Sequence, residues 1–131
     1  RHYAASRSRL EIGKFLISRG ADINARDKAN QLPLHRAATT GSIGFIKLLL
    51  TPPEGSPKPK LNTADRMGNT PLHLAIDSAH GEAAVTLIEA GADRERTNLD
   101  GETPEFMQGV GGTEQRRVKH YIVERCGALE A

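Results

Sequence analysis

The chain has no tryptophan, two tyrosines and three phenylalanines, so aromatic residues make up only 4% of its 131 positions. Any core must therefore be assembled from Leu, Ile, Val and Ala, and the stacked aromatic platforms of single-strand nucleic-acid binders are missing. One cysteine, Cys126, excludes an intrachain disulfide framework and a multi-cysteine zinc or iron–sulfur site. No run approaches the roughly 18 consecutive apolar residues of a membrane span, and the first residues lack a signal-peptide pattern. Together these absences point to a reducing, intracellular setting. A net charge of +2 is too small to argue for a nucleic-acid partner by itself. What is present, 37% hydrophobic and 26% charged residues, fits one globular domain or a fragment of one.

The net charge conceals an asymmetry. Residues 1–65 hold eleven Lys/Arg against five Asp/Glu, whereas residues 66–131 hold seven against eleven. The chain also repeats itself. Leu32-Pro33-Leu34-His35-Arg36-Ala37-Ala38 recurs as Thr70-Pro71-Leu72-His73-Leu74-Ala75-Ile76, its tail stands at His2-Tyr3-Ala4-Ala5, and its head returns at Glu102-Thr103-Pro104. His2 and His35 are 33 residues apart, as are Pro71 and Pro104, while His35 and His73 are 38 apart. The five extra residues fall in the Pro-rich stretch 52–60. Arg19-Gly20-Ala21-Asp22-Ile23 matches Ala90-Gly91-Ala92-Asp93-Arg94 in the same phase. A 33-residue period carrying T-P-L-H-x-A is the signature of ankyrin repeats. The expected fold is all-α: a solenoid of helix-turn-helix pairs with projecting β-turn loops. The expected units are 1–27 (partial), 28–65 (with the insertion), 66–98, and a C-terminal capping unit 99–131.

Each motif residue has a physical role. Pro33, Pro71 and Pro104 suit the first helical turn, where no N–H is needed. Thr70 and Thr103 are placed to cap the helices they precede. Ala37 and Ala75 let neighbouring inner helices approach, and Leu48, Leu49 and Leu87 are expected to bury on the second helices. Gly20 and Gly91 end those helices in left-handed geometry. Asp27-Lys28-Ala29-Asn30, Asp65-Arg66-Met67-Gly68 and Leu99-Asp100-Gly101 turn the chain into the next unit. In the last copy Phe106 replaces the motif His, Gln108 the motif Ala, and Gly109-Val110-Gly111-Gly112 interrupts the helix. Val118, Tyr121, Ile122 and Cys126 are expected on the buried side of a final helix, Glu114 to Arg125. Because the first copy starts within its motif, residues 1–131 read as the C-terminal part of a longer array.

Catalytic or metal chemistry finds little footing. His35 and His73 occupy equivalent repeat positions and do not converge, so each is expected to bond the turn of its own motif. His80 and His120 lie among charges and read as solvated, and Cys126 reads as a buried structural thiol. Gly109-Val110-Gly111-Gly112 neither follows a strand nor continues into Lys-Ser/Thr, so it is no phosphate loop. Ser56-Pro57-Lys58 matches a proline-directed phosphorylation site, though a plain exposed loop explains it as well. No enzyme, cofactor or metal ion is expected. Function is expected on the surface lined by turn tips and the exposed side of the inner helices. Counting one, four and five residues past each motif His selects Tyr3, Ser6 and Arg7; Arg36, Thr39 and Thr40; and Leu74, Asp77 and Ser78. The tips add Arg26, Lys28, Gln31, Arg66, Met67, Asn69, Asp100 and Glu102. From these, the partner-binding set is Tyr3, Arg7, Arg36, Thr39, Thr40, Arg66, Met67, Asn69, Asp77 and Ser78, with Tyr and Arg as typical interface anchors.

Within the ankyrin-repeat proteins, the chain resembles the gankyrin-like assembly chaperones of the proteasome regulatory particle. The resemblance rests on Leu34-His35-Arg36-Ala37-Ala38 with Ile46-Lys47-Leu48-Leu49-Leu50, on Gly68-Asn69-Thr70-Pro71-Leu72-His73-Leu74-Ala75 with Asp77, and on the degenerate last repeat with Gly111-Gly112. It covers essentially the whole chain and corresponds to the C-terminal four of seven repeats. The Pro-rich insertion and the tail after Gly127 depart from the pattern. The resemblance implies a monomer of cytoplasm and nucleus whose concave face binds the C-terminal domain of a regulatory-particle ATPase subunit. Arg36 and Arg66 would face partner carboxylates and Asp77 a partner cation, with neither nucleic acid nor membrane as partner. The competing reading is a generic ankyrin scaffold or inhibitor with another protein partner.

Overall fold

A computed structural model describes residues 26–51, 59–107 and 112–127. Tyr3, Ser6, Arg7, Gly20, Ser56, Gln108 and the Gly109–Gly111 stretch lie outside the described residues. Among those described there are five α-helices, one short 3-10 helix and no strand. The order is α1 (Pro33–Thr40), α2 (Ile43–Leu50), α3 (Pro71–Asp77), α4 (Gly81–Glu89), the 3-10 helix Pro104–Phe106, and α5 (Thr113–Cys126).

The helices pair and stack. α1 packs on α2, and α3 on α4; then α1 packs on α3, and α3 on the 3-10 helix. The second helices form their own row, α2 on α4 and α4 on α5. Two layers result, each unit burying its apolar face on the next, as expected of a repeat whose single unit has too little core. One continuous core runs through both layers and includes Leu34, Ala38, Ile46, Leu49, Leu72, Ala75, Ile76, Leu87, Val118 and Ile122. Ala38, Ala75, Ala83 and Ala84 are fully buried, so helices meet there with no side chain larger than a methyl between backbones. Leu48, expected to bury, is only half-buried, whereas Leu49 and Leu87 are fully inside.

Three helices open on the proline of their motif. Pro33, Pro71 and Pro104 open their helices, and the preceding residues are extended. Thr70 caps α3 through its hydroxyl. Thr103 makes no side-chain cap, and its helix lasts only from Pro104 to Phe106 before Met107 returns to extended geometry. The turn joining α1 to α2 needs a left-handed residue, supplied by Gly41 at φ +68. In the next unit Ala79 takes the same place at φ 61, with the same pattern of backbone bonds, Ala79 N–H to Ile76 O and His80 N–H to Ala75 O. Cys126 is half-buried at the end of α5, and burial pushes its thiol pKa up.

Candidate protein-binding face

Three successive turns project beside the first helices, and one chemical device builds each of them. Asp27 Oδ1 accepts the N–H groups of Ala29 and Gln31, Asp65 Oδ1 those of Met67 and Asn69, and Asn98 Oδ1 those of Asp100 and Glu102. The backbone closes in parallel: Asn30, Gly68 and Gly101, all at positive φ, donate to the carbonyls of Asp27, Asp65 and Asn98. The last turn therefore begins at Asn98, one residue before the sequence placed it. The Asp27 carboxyl is held below the usual carboxylate range, chiefly by the Gln31 N–H.

Neighbouring turns are bonded to each other. Arg66 N–H donates to Ala29 O at 3.3 Å and Leu99 N–H to Met67 O at 3.2 Å. Gln31 donates from its amide to Asp65 Oδ2, and Asn98 from its amide to Asn69 Oδ1, both at 3.1 Å. A Cβ on Gly68 would lie 2.5 Å from the Leu99 nitrogen, so the tips are too close for any other residue there. The motif histidines fasten the tips to the helices. His35 Nδ1 accepts from Leu32 N–H, and its Nε2–H donates forward to Asn69 O at 3.1 Å. His73 Nδ1 is bonded by Thr70 N–H and Oγ1, and its Nε2–H donates to Glu102 O at 2.9 Å. The expectation that each histidine serves its own motif holds for Nδ1. For Nε2 the turn served belongs to the following unit. Both rings are fully buried, and burial lowers both pKa values below the ordinary histidine value.

The face so held displays Arg26, Lys28, Arg36, Arg66, Met67, Asp77 and Asp100 to solvent, while Gln31, Asn69, Leu74, Ser78 and Glu102 are half-buried. Gln31, Arg36, Thr39, Thr40 and Leu74 line one open depression of about 380 Å³, so three of the expected site residues stand together. The Arg36 side chain is 75% exposed and lies 3.8 Å from Asp27, too loose and too wet to hold it. Thr39 and Thr40 turn their hydroxyls back onto α1, to His35 O and Arg36 O, and Asn69 is committed to Asn98. These three shape the surface more than they reach beyond it. Leu99, absent from the sequence-derived set, is 76% exposed beside Met67 at 61%. Its signal was available in its register, since it stands where Lys28 and Arg66 stand in the preceding turns. His80, expected to be solvated, is half-buried with its ring against Gly41; His120 is exposed and 3.0 Å from Glu124. Among the described residues no three His, Cys, Asp or Glu side chains gather in a way that could hold a metal ion.

The family model for ankyrin repeats matches residues 1–98 in three copies. The chain belongs to the ankyrin-repeat family. It is 44% identical over 88 residues to a Saccharomyces cerevisiae protein named "Probable 26S proteasome regulatory subunit p28", covering 67% of this chain and 37% of the yeast protein. It is 37% identical over 103 residues to a Caenorhabditis elegans homologue of transient receptor potential cation channel subfamily A member 1, covering 79% of this chain and 8% of that one. With human protein phosphatase 1 regulatory subunit 27 it shares 32% identity over 94 residues, 72% of this chain and 58% of that protein. The chain thus spans less than two thirds of each of these relatives. It is an ankyrin-repeat module for binding protein partners, and among the described residues no helix is long and apolar enough to cross a membrane.

Proposed function

We propose that the protein is a non-enzymatic chaperone of proteasome regulatory-particle assembly. In this reading its tip-and-helix face binds the C-terminal domain of a regulatory-particle ATPase subunit and, while bound, keeps that subunit from docking on the proteasome core. The observation that carries the reading is the 44% identity to the yeast protein named as a proteasome regulatory subunit, which exceeds the identity to the channel and phosphatase relatives named above. The face supports it: exposed charge runs from Lys28 and Arg36 in the first described unit, through Arg66 and Asp77 in the second, to Asp100 in the last. Such an order orients a partner carrying opposite charges and speeds encounter. A monomer working in cytoplasm and nucleus, with a partial unit at 1–27 and repeat units at 28–65, 66–98 and 99–131, completes the proposal.

Affinity purification of the full-length protein from its own cell tests it. The reading expects regulatory-particle ATPase subunits without the proteasome core. The second reading, a scaffold for an unrelated protein, is favoured by 37% identity to a cation-channel subunit across 79% of this chain. Recovery of a partner unrelated to the proteasome, with no ATPase subunit, would establish that alternative.

A further inference from the structure

Four large hydrophobic side chains are exposed among the described residues: Met67, Leu99, Phe106 and Val123. Two of them lie on helices of the terminal unit, Phe106 in the 3-10 helix under the Lys119 ammonium at 5.9 Å and Val123 on α5. The other two stand on adjacent turn tips. Their backbones are joined by the Leu99 N–H to Met67 O bond, and a Cβ on Gly68 would come within 3.0 Å of Leu99 Cγ. Neither tip needs an apolar residue for its own construction, because the Asp65 and Asn98 side chains and the backbone closures make both turns. At the register position of Leu99 the two preceding turns carry Lys28 and Arg66, both exposed and charged. Solvent-exposed Leu and Met side by side on a rigid, hydrogen-bonded platform cost hydration and lose little entropy when covered.

We propose that Met67 and Leu99 form a paired apolar anchor that receives an apolar side chain of the protein partner. Charge defines the rest of that occupant. Arg66 adjoins Met67 and Lys28 stands one turn before it, whereas Asp100 follows Leu99 directly. The partner surface therefore places its apolar residue between an acidic group, over Arg66 and Lys28, and a basic group, over Asp100. The inference rests on the reading of the previous section, in which the partner is a regulatory-particle ATPase C-terminal domain, and adds the anchor that fixes its register.

The test is the affinity of that ATPase domain for the full-length protein, for Met67→Ala, Leu99→Ala and the double variant, and for Val123→Ala as an exposed apolar control on α5. The anchor predicts about tenfold weaker binding for each single variant and a further loss for the double. Val123→Ala binds as wild type, and all variants keep the wild-type melting temperature because neither tip residue is buried. Wild-type binding with undiminished affinity in the double variant overturns the anchor and leaves the functional reading intact. No binding by the wild type overturns that reading, and the anchor with it. Asp100→Lys supplies the charge arm: it weakens binding if the partner is basic there, and unchanged affinity contradicts the assigned order.

Discussion

At the level of single residues, the histidines show how a chemically versatile side chain is confined to structure. Nδ1 of His35 accepts from Leu32 N–H, and Nε2 must carry the proton it donates to Asn69 O. A second proton would have to enter at Nδ1, against an N–H donor and away from water. His73 is caught in the same way between Thr70 and Glu102. The unfolded chain takes up these protons near pH 6.5, the folded chain only at lower pH. Below about pH 6.5 the unfolded state therefore binds more protons, and stability falls as pH falls. Urea midpoints measured between pH 8 and pH 5 are expected to be level above about pH 7 and to drop below it. Substituting both histidines by Gln removes two titrating groups and flattens that drop, while lowering stability throughout. Ala79 offers a second residue-scale test. A non-glycine residue in left-handed geometry costs roughly 1 kcal/mol, so Ala79→Gly is expected to raise the unfolding free energy by about that amount. Gly41→Ala moves it the other way, because its Cβ would lie 2.5 Å from His80 Nδ1 as well as at positive φ.

At the level of elements, the last unit departs most from the repeat and shows what replaces it. Arg94 donates from Nε and Nη2 to Glu105 Oε1, at 3.0 and 2.7 Å, and also reaches the carbonyls of Cys126 and Gly127 at the end of α5. Their side chains are only 12% and 6% exposed. In register, Arg94 stands where Ile23 and Leu61 stand, and Glu105 where Leu34 and Leu72 stand. The ion pair thus fills two apolar slots of the repeat and ties the short 3-10 helix to the C-terminus of α5, where a cation also meets the helix dipole. Removing one partner strands a buried charge, and Arg94→Ala or Glu105→Ala is expected to cost about 3–5 kcal/mol in chemical unfolding. Arg94→Leu combined with Glu105→Leu restores the apolar pattern and is expected to cost far less than the two single changes added together. The helix pairs were legible because Thr-Pro-Leu-His and Gly-Ala-Asp recur at fixed spacing. Arg94–Glu105 was not read, because the two positions depart from the period and a period only speaks for residues that obey it. The two charged residues in slots that are otherwise apolar were the available sign. The tip ladder was half legible: Asp27 and Asp65, with Asn30, Gly68 and Gly101 in the left-handed places, were evident, but Asn98 disguised the start of the third turn by offering an amide where the others offer a carboxylate.

At the level of the whole molecule, the charge asymmetry of the sequence gains a direction along the stack: among the described residues, 26–65 hold five Lys/Arg against two Asp/Glu and 66–127 hold seven against ten. Arg36, Arg66 and Asp77 are exposed on the described part of it, held in order by helices and bonded turns, whereas Tyr3 and Arg7 lie outside the described residues. The candidate surface was legible in outline, since repeat register fixes which positions face outward. Its division of labour was not, because whether Thr39, Thr40 and Asn69 bond inward depends on side-chain geometry that register does not set. Steering by such a charge order weakens with salt. Association with the ATPase domain is accordingly expected to slow as ionic strength rises from 0.05 to 0.5 M, with a smaller effect on dissociation, as stopped-flow mixing would show. The most direct measurement is the calorimetric affinity of that domain for wild type and for Arg36→Glu combined with Arg66→Glu. Both residues are exposed, so the variant keeps its fold; binding weakened by about tenfold or more is the predicted result, and equal affinity would contradict the assignment of this face.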